Sequence, residues 1–293
     1  MGSNQSWVTE FVLVGFELSA DVEVLLLWVF SLFYILSLLA NGVILGLICL
    51  DPSLHTPMYF FLSHLAIIDM SYASSNVPKM LANLVSQNRT ISFVPCIIQT
   101  FLYVSFGHTE CLILVVMSYD RVCMALAVTS WSCGFIQSLV HAILLLRLPF
   151  CGPREVNHLF CEILSVLKLA CADTSINQVV ILADCVFVLV GALYLMLVSY
   201  MRILWAILKI QSKEGRTKAF STCSSHLCVV GLFFGSAIVM YMAPKSHHPE
   251  EQQKILSLFY SLFNPMLNPL IYSLKNTEVK GTLRRALCKE RPV

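Results

Sequence analysis

Seven apolar runs of membrane-spanning length dominate the chain, at about 24–50, 58–81, 97–119, 123–149, 178–208, 219–243 and 255–274. A bilayer's apolar core is about 30 Å thick and needs about 20 apolar helical residues to cross. Lipid leaves backbone polar groups no partner, so a spanning chain must be a helix or a closed barrel, and these runs lack barrel alternation. Composition agrees: 57% of the 293 residues are hydrophobic and 12% charged, where soluble domains carry about 25% charged residues. The expectation is an all-α membrane protein: a seven-helix bundle forming one domain over 1–293. Its N-terminal segment is 1–23 and its tail 275–293. The net charge of +2 is too small to argue for nucleic acid. Residues 1–10 show neither a basic nor an apolar leader region, so the first span is expected to serve as insertion signal.

Seven spans place the termini on opposite sides. Asn4-Gln5-Ser6 and Asn88-Arg89-Thr90 are glycosylation sequons, and the seven-span arrangement sets both on one face, outside. Lys and Arg then divide as 12 inside and 7 outside, which by the positive-inside rule gives the same orientation, N-terminus out. The basic segment between spans five and six, KIQSKEGRTKAF, reads either as that orientation signal or as a docking surface for a cytoplasmic partner. The tail reads as an amphipathic helix on the inner surface, with Leu283 and Leu287 four residues apart. Cys288 in that tail is a palmitoylation candidate.

The third run sits within Cys96–Arg121, 26 residues or about 39 Å as a helix. Its middle carries His108 and Glu110, where hydrocarbon makes ionisable groups costly unless they face protein or water. Asp69 in span two and Asp184 in span five are further acids at that depth, with no partner visible along their own spans. Asn41-Gly42 in span one reads as a glycine packing notch beside a satisfied amide. Asn264-Pro265 and Asn268-Pro269 in span seven are kink sites, whose prolines free carbonyls that asparagines can re-satisfy. Most of the 12 cysteines lie in spans as small core hydrophobes. Cys96, Cys151, Cys161 and Cys171 fall near loops on one side, and four cysteines allow three pairings.

Spans three and four meet abruptly. Packed helix axes lie about 8–10 Å apart while one peptide advances about 3.8 Å, so one helix must unwind at its end. The run from Val122 to Phe150 has a turn or two to give up; the alternative, fusion into one long helix, conflicts with the sequons and charges.

Taken together, LSHLAIIDMSYASSNVPKML, MSYDR, KAFSTCSSHL and PMLNPLIYSLKN resemble the rhodopsin-like G-protein-coupled receptors, and specifically the olfactory receptors, over nearly the whole chain. The outer loop LPFCGPREVNHLFCEILSVLKLACADT is similar to that of family 2, subfamily A. The resemblance implies disulfides Cys96–Cys161 and Cys151–Cys171. It implies a polar or sodium-binding network of Asp69, Glu110 and Asn268. It implies an activation and G-protein switch of Asp120, Arg121, Tyr200, His226, Asn268, Pro269 and Tyr272. An odorant cavity would lie between helices three, five, six and seven, in their outer halves.

Helical spacing marks the residues for that cavity. Val104, His108 and Cys111 share one stripe of helix three, and Tyr103, Gly107 and Glu110 the adjacent one. Asp184, Val188 and Gly191 share a stripe of helix five. Phe234, Ala237 and Tyr241 do so on helix six, joined by Ser261 on helix seven. The candidate ligand set is Tyr103, Val104, Gly107, His108, Cys111, Asp184, Val188, Phe234, Ala237, Tyr241 and Ser261. One reading sets His108 and Asp184 across the cavity from each other, biasing it toward polar or amine-bearing odorants. The other is a structural His–Asp hydrogen bond that closes the bundle.

One departure stands out. In the family, Asp-Arg is followed by Tyr and a run resembling VAICHPLRY; here Arg121 runs straight into Val122-Cys123-Met124, so the second inner loop is missing. The leading expectation is an odorant receptor in the plasma membrane. Its partners would be a small-molecule odorant, membrane lipid and a stimulatory olfactory-type G protein acting through cAMP. The alternative is a non-signalling, loop-deleted variant retained in the cell or partnering intact receptors. No span carries paired catalytic acids, HExxH or GxSxG, so no enzyme is expected, nor a cofactor. His247-His248 beside Glu250-Glu251 reads as an exposed polar loop rather than a metal site.

Overall fold

The computed structural model describes residues 8–16, 18–86, 88–117, 123–151, 153–209, 211–242, 249–275 and 277–287; of Cys123, Tyr241 and Tyr272 it describes the backbone alone. The chain runs through α1 (Ala20–Leu50), a 3₁₀ turn (Pro52–Leu54), α2 (Pro57–Val85), α3 (Phe93–Val116) and α4 (Cys123–Leu146). After a short α5 (Ile163–Leu167), one rod comprises α6 (Ser175–Cys185), a π-helical turn (Val186–Val190) and α7 (Gly191–Leu208). Next come α8 (Lys213–Met242) and a second composite rod: α9 (Pro249–Leu258), a π-helical turn (Phe259–Phe263) and α10 (Asn264–Lys275). The last helix is α11 (Thr277–Leu287).

Ala20–Leu50, Phe93–Val116, Met124–Leu146 and Ser175–Leu208 are each long and apolar enough to cross a bilayer. Their outward faces are apolar: Trp28 is 71% exposed and Phe187 81%, the pattern of a surface made for lipid. The interior holds Asp69, Asn76, Glu110, Asn264 and Asn268, all buried.

Local chemistry sets the joints. Asp51 Oδ1 accepts from Ser53 N (3.0 Å) and Ser53 Oγ (2.7 Å) to tighten the first turn, and Pro57 opens α2 at a position that needs no N–H. Asp51 Oδ2 accepts from Thr282 Oγ1 (2.9 Å), which ties α11 back to this turn. Pro269 has no N–H to give the carbonyl of Pro265 four residues earlier. Asn41 Nδ2, from α1, donates to that carbonyl at 2.7 Å. The glycine beside it is not a packing notch, because a side chain at Gly42 would meet nothing within 4 Å. Gly134 is the true close approach: a Cβ there would lie 2.2 Å from Thr109 Oγ1 and 2.9 Å from Ser105 O, so α4 presses directly on α3.

At one end, β1 (Glu10–Leu13) pairs antiparallel with β2 (Thr90–Ser92) and parallel with β3 (Glu155–Val156). Phe11 is fully buried against Phe93 and Phe150. Arg89 Nη2 donates to Glu23 Oε1 (2.5 Å) and Nη1 to Val14 O (2.9 Å). Cys96 is bonded to Cys161 and Cys151 to Cys171 at this same end. Gln99 Oε1 accepts from Cys161 N (2.9 Å) and Thr100 Oγ1 donates to Cys161 O (3.0 Å), so polar contacts double the first covalent tie.

α3 is described to its end at Val116 and α4 from Cys123; the passage between spans three and four, residues 118–122, lies outside the described residues.

Candidate functional site

In the half of the bundle nearest the disulfides, α3, α4, the α6–α7 rod, α8 and the second composite rod line a cavity of about 80 Å³. Ile163, two residues past Cys161, contributes to its wall from the loop between α4 and α6. Of the expected ligand set, Tyr103, Val104, Gly107, His108, Cys111, Asp184, Val188 and Ala237 line it. Phe234 is buried, but its neighbour Phe233 takes the wall position. Ser261 donates to Ser257 O (2.8 Å) within its own helix, and Tyr260 lines the cavity instead. The side chain of Tyr241 lies outside the described residues. Both shifts are by one residue; on helix seven the π-helical turn (Phe259–Phe263) inserts an extra residue and advances the face. The other π turn puts Val188 and Leu189 on the wall, and Val188 O accepts from Cys111 Sγ at 3.9 Å.

His108 and Asp184 do not face each other across the space; they touch, with His108 Nε2 2.7 Å from Asp184 Oδ2. His108 Nδ1 lies 2.8 Å from the carbonyl of Val104. Helix four supplies two partners that the sequence did not reveal. His141 Nε2 meets Asp184 Oδ2 at 3.0 Å, and Gln137 Nε2 donates to Asp184 Oδ1 at 2.6 Å. Asp184 thus joins α3, α4 and α6. Separations of 43, 47 and 76 residues leave no local signature, and only the inward face of span four, with two polar residues four apart, hinted at it.

Deeper in the bundle the expected polar trio meets. Asn268 Nδ2 donates to Asp69 Oδ1 (3.2 Å) and Oδ2 (3.1 Å), and reaches Glu110 Oε1 at 3.4 Å. Nearby in the chain, both side-chain polar atoms of Asn264 are buried without a protein partner among the described residues, a pattern that water or an ion satisfies. Towards the end opposite the disulfides, the hydroxyl of Tyr200 is hydrogen-bonded to His226 Nδ1, linking α7 to α8. Pro269 lies inside α10. Asp120, Arg121 and the side chain of Tyr272 lie outside the described residues, as do Asn4, His247, His248 and Cys288. Asn88 is exposed at the disulfide end, its Oδ1 accepting from Thr90 Oγ1 at 2.7 Å.

In the loop between α4 and α6, His158 and Glu162 are each 1% exposed. Burial holds His158 down to about 4 and pushes Glu162 above the usual carboxylate range. Glu162 Oε2 accepts from Ser165 N (3.0 Å), capping α5.

The family model described as olfactory receptor matches residues 30–290. Human olfactory receptor 2A5 is 70% identical over 309 aligned positions, covering 99% of each chain. Human olfactory receptor 2A2 is also 70% identical, covering 99% of this chain and 97% of its own; mouse olfactory receptor 2A7 is 58% identical with 99% of each covered. An alignment of 309 positions against 293 residues leaves at least 16 positions with no residue of this chain opposite them. The crystal structure of squid rhodopsin superposes with a TM-score of 0.68 at 15% identity, over 94% of this chain and 87% of that one. The chain belongs to the olfactory receptor family: a multi-pass membrane receptor with the rhodopsin-like fold, and not an enzyme.

Proposed function

We propose that this receptor binds a small odorant in the cavity walled by Val104, His108, Asp184, Val188 and Ala237, and that binding shifts the bundle toward a state that engages a G protein. The observation that carries the reading is the make-up of the cavity: mostly apolar walls with a few convergent polar groups, as is usual for a small-molecule site. A ligand shifts such an equilibrium only by its differential affinity for the two states. The pivots are the kinked helix at Asn268-Pro269 and the Tyr200–His226 contact, with Asp120, Arg121 and Tyr272 completing the switch. Asp69, Glu110 and Asn268 would form the polar or sodium-binding hub between cavity and switch. The G protein is of the stimulatory olfactory type and the readout cAMP. The receptor resides in the plasma membrane, N-terminus outside, with the sequons at Asn4 and Asn88 on the outer face.

An amine preference loses support from the direct His108–Asp184 contact, because the carboxylate is already matched by imidazole and amide donors. A neutral odorant fits the site better. The test is an odorant panel read by cAMP. Asp184→Asn removes the charge that organises His108, His141 and Gln137, so the ranking of active odorants should change. An unchanged ranking removes Asp184 from the site.

A second reading, a non-signalling variant that partners intact receptors, is favoured by one observation: relatives carry at least 16 aligned positions that this chain lacks. Odorant binding without any agonist-dependent cAMP would select it.

A further inference from the structure

We infer that Ile163 bounds the cavity at its end nearest the disulfides and sets the length of ligand it accepts, a short unbranched aliphatic molecule; the inference rests on the cavity being the odorant site. The buried apolar residues of the wall come from two separate cores. Tyr103, Val104 and Ala237 belong to the core that fills the bundle. Ile163 and Ile181 belong to a second core, which includes the strand residues Phe11 and Val156. Cys185 lines the cavity and packs against both cores. The cavity therefore lies on the seam between them, and the two isoleucines form its ceiling on the side of the three-stranded sheet.

That ceiling is held in place from both sides. Ile163 is buried two residues after Cys161, which is bonded to Cys96 of α3. Gln99 Oε1 and Thr100 Oγ1 hold the backbone N and O of Cys161, and Glu162 caps α5 through Ser165 N. Ile181 is buried one helical turn before Asp184, which is tied to α3 and α4. With both backbones anchored, side-chain size sets the room at this end, because close-packed surroundings relax only in part when atoms are removed. The cavity's 80 Å³ is smaller than the roughly 150 Å³ that holds benzene in an engineered apolar cavity. A ring therefore needs the walls to move, whereas a short chain does not. Isoleucine exceeds valine by one carbon and alanine by three, which grades the test.

Ligand-observed NMR titration of the full chain in lipid nanodiscs, with empty nanodiscs as the blank, runs the unbranched 2-alkanones from 2-butanone upward. Affinity should rise about fourfold per methylene, the gain from burying one CH₂, up to a limiting length and fall beyond it. Ile163→Val should lengthen that limit by one carbon and Ile163→Ala by up to three. The first ketone past the original limit should then bind about fourfold tighter to either variant than to the unmutated chain. Leu164 packs on the same core but is not part of the wall, so Leu164→Ala should leave the limit where it is. No limit in the unmutated chain, a limit unmoved by Ile163→Ala, or one moved as far by Leu164→Ala overturns the inference while leaving the odorant cavity standing. If Ile163→Ala does not fold, Ile163→Val decides by the same comparison. Val188→Trp fills the cavity and should abolish binding of every ketone. Ketones that bind no better than to empty nanodiscs, or as well to Val188→Trp, overturn the cavity reading and the inference with it.

Discussion

At the scale of single residues, two glycines with the same helical backbone have opposite meanings, and sequence alone ranks them wrongly. Gly134 has Thr109 Oγ1 and the backbone of Ser105 within 3 Å of where a methyl group would sit, whereas Gly42 has open space. Gly134→Ala should push α4 off α3 and cost about 1–3 kcal/mol, the usual range for overpacking. Gly42→Ala should be neutral or stabilising by up to about 1 kcal/mol, because glycine weakens a helix interior relative to alanine. Thermal unfolding of both variants in the same nanodiscs checks the order; a destabilised Gly42→Ala would contradict it. Asn41 offers a second residue-scale test. Asn41→Leu strips the donor from the Pro265 carbonyl and leaves a buried acceptor unsatisfied. The expected loss is about 1–3 kcal/mol, read by the same unfolding. That partnership was half legible: the proline foretold a free carbonyl, but not which asparagine would answer it.

Elements were legible wherever hydropathy and length carried the signal. The runs at 24–50 and 178–208 match helices at Ala20–Leu50 and Ser175–Leu208 closely. The cavity stripes on α3 were legible too, since an uninterrupted helix keeps its 3.6-residue period. On helix seven the period slipped at a π turn that no residue announces, and Ser261 gave way to Tyr260. His141 and Gln137 were missed for another reason: the rotation of α4 is fixed by Gly134 pressing on Thr109, a tertiary contact. The loop between α4 and α6 carries a pH dependence of its own. His158 is held neutral by burial to about 4 against an ordinary 6.5. Below pH 6.5 the unfolded chain takes up a proton that the folded loop refuses. Stability therefore falls as pH drops from 6.5 toward 4, by at most about 3 kcal/mol at 1.36 kcal/mol per unit, and levels off below. Glu162, with its raised value, works the other way: its contribution is present at low pH and is lost as pH rises through its folded value. Unfolding temperatures from pH 7 to 4.5 should decline less steeply in His158→Gln than in the unmutated chain; parallel slopes would exclude His158 as the source.

For the whole molecule, a second inner loop missing between α3 and α4 would bear on coupling and on ligand capture differently. The disulfides, the three-stranded cap, the cavity and the Asp69–Glu110–Asn268 contact all form without any residue of 118–122. α3 and α4 are packed directly on each other through Gly134. Folding and ligand capture should then survive without the loop, while engagement of a partner at that end should suffer. An N-terminal epitope stained on unpermeabilised cells tests the first half. The chain as it stands and a version with a family-like loop inserted after Arg121 should stain comparably and bind the same odorants. cAMP output tests the second half and should rise on insertion of the loop. Staining that appears only with the loop restored would show that the α3–α4 passage limits maturation, which would assign the defect to folding rather than to coupling.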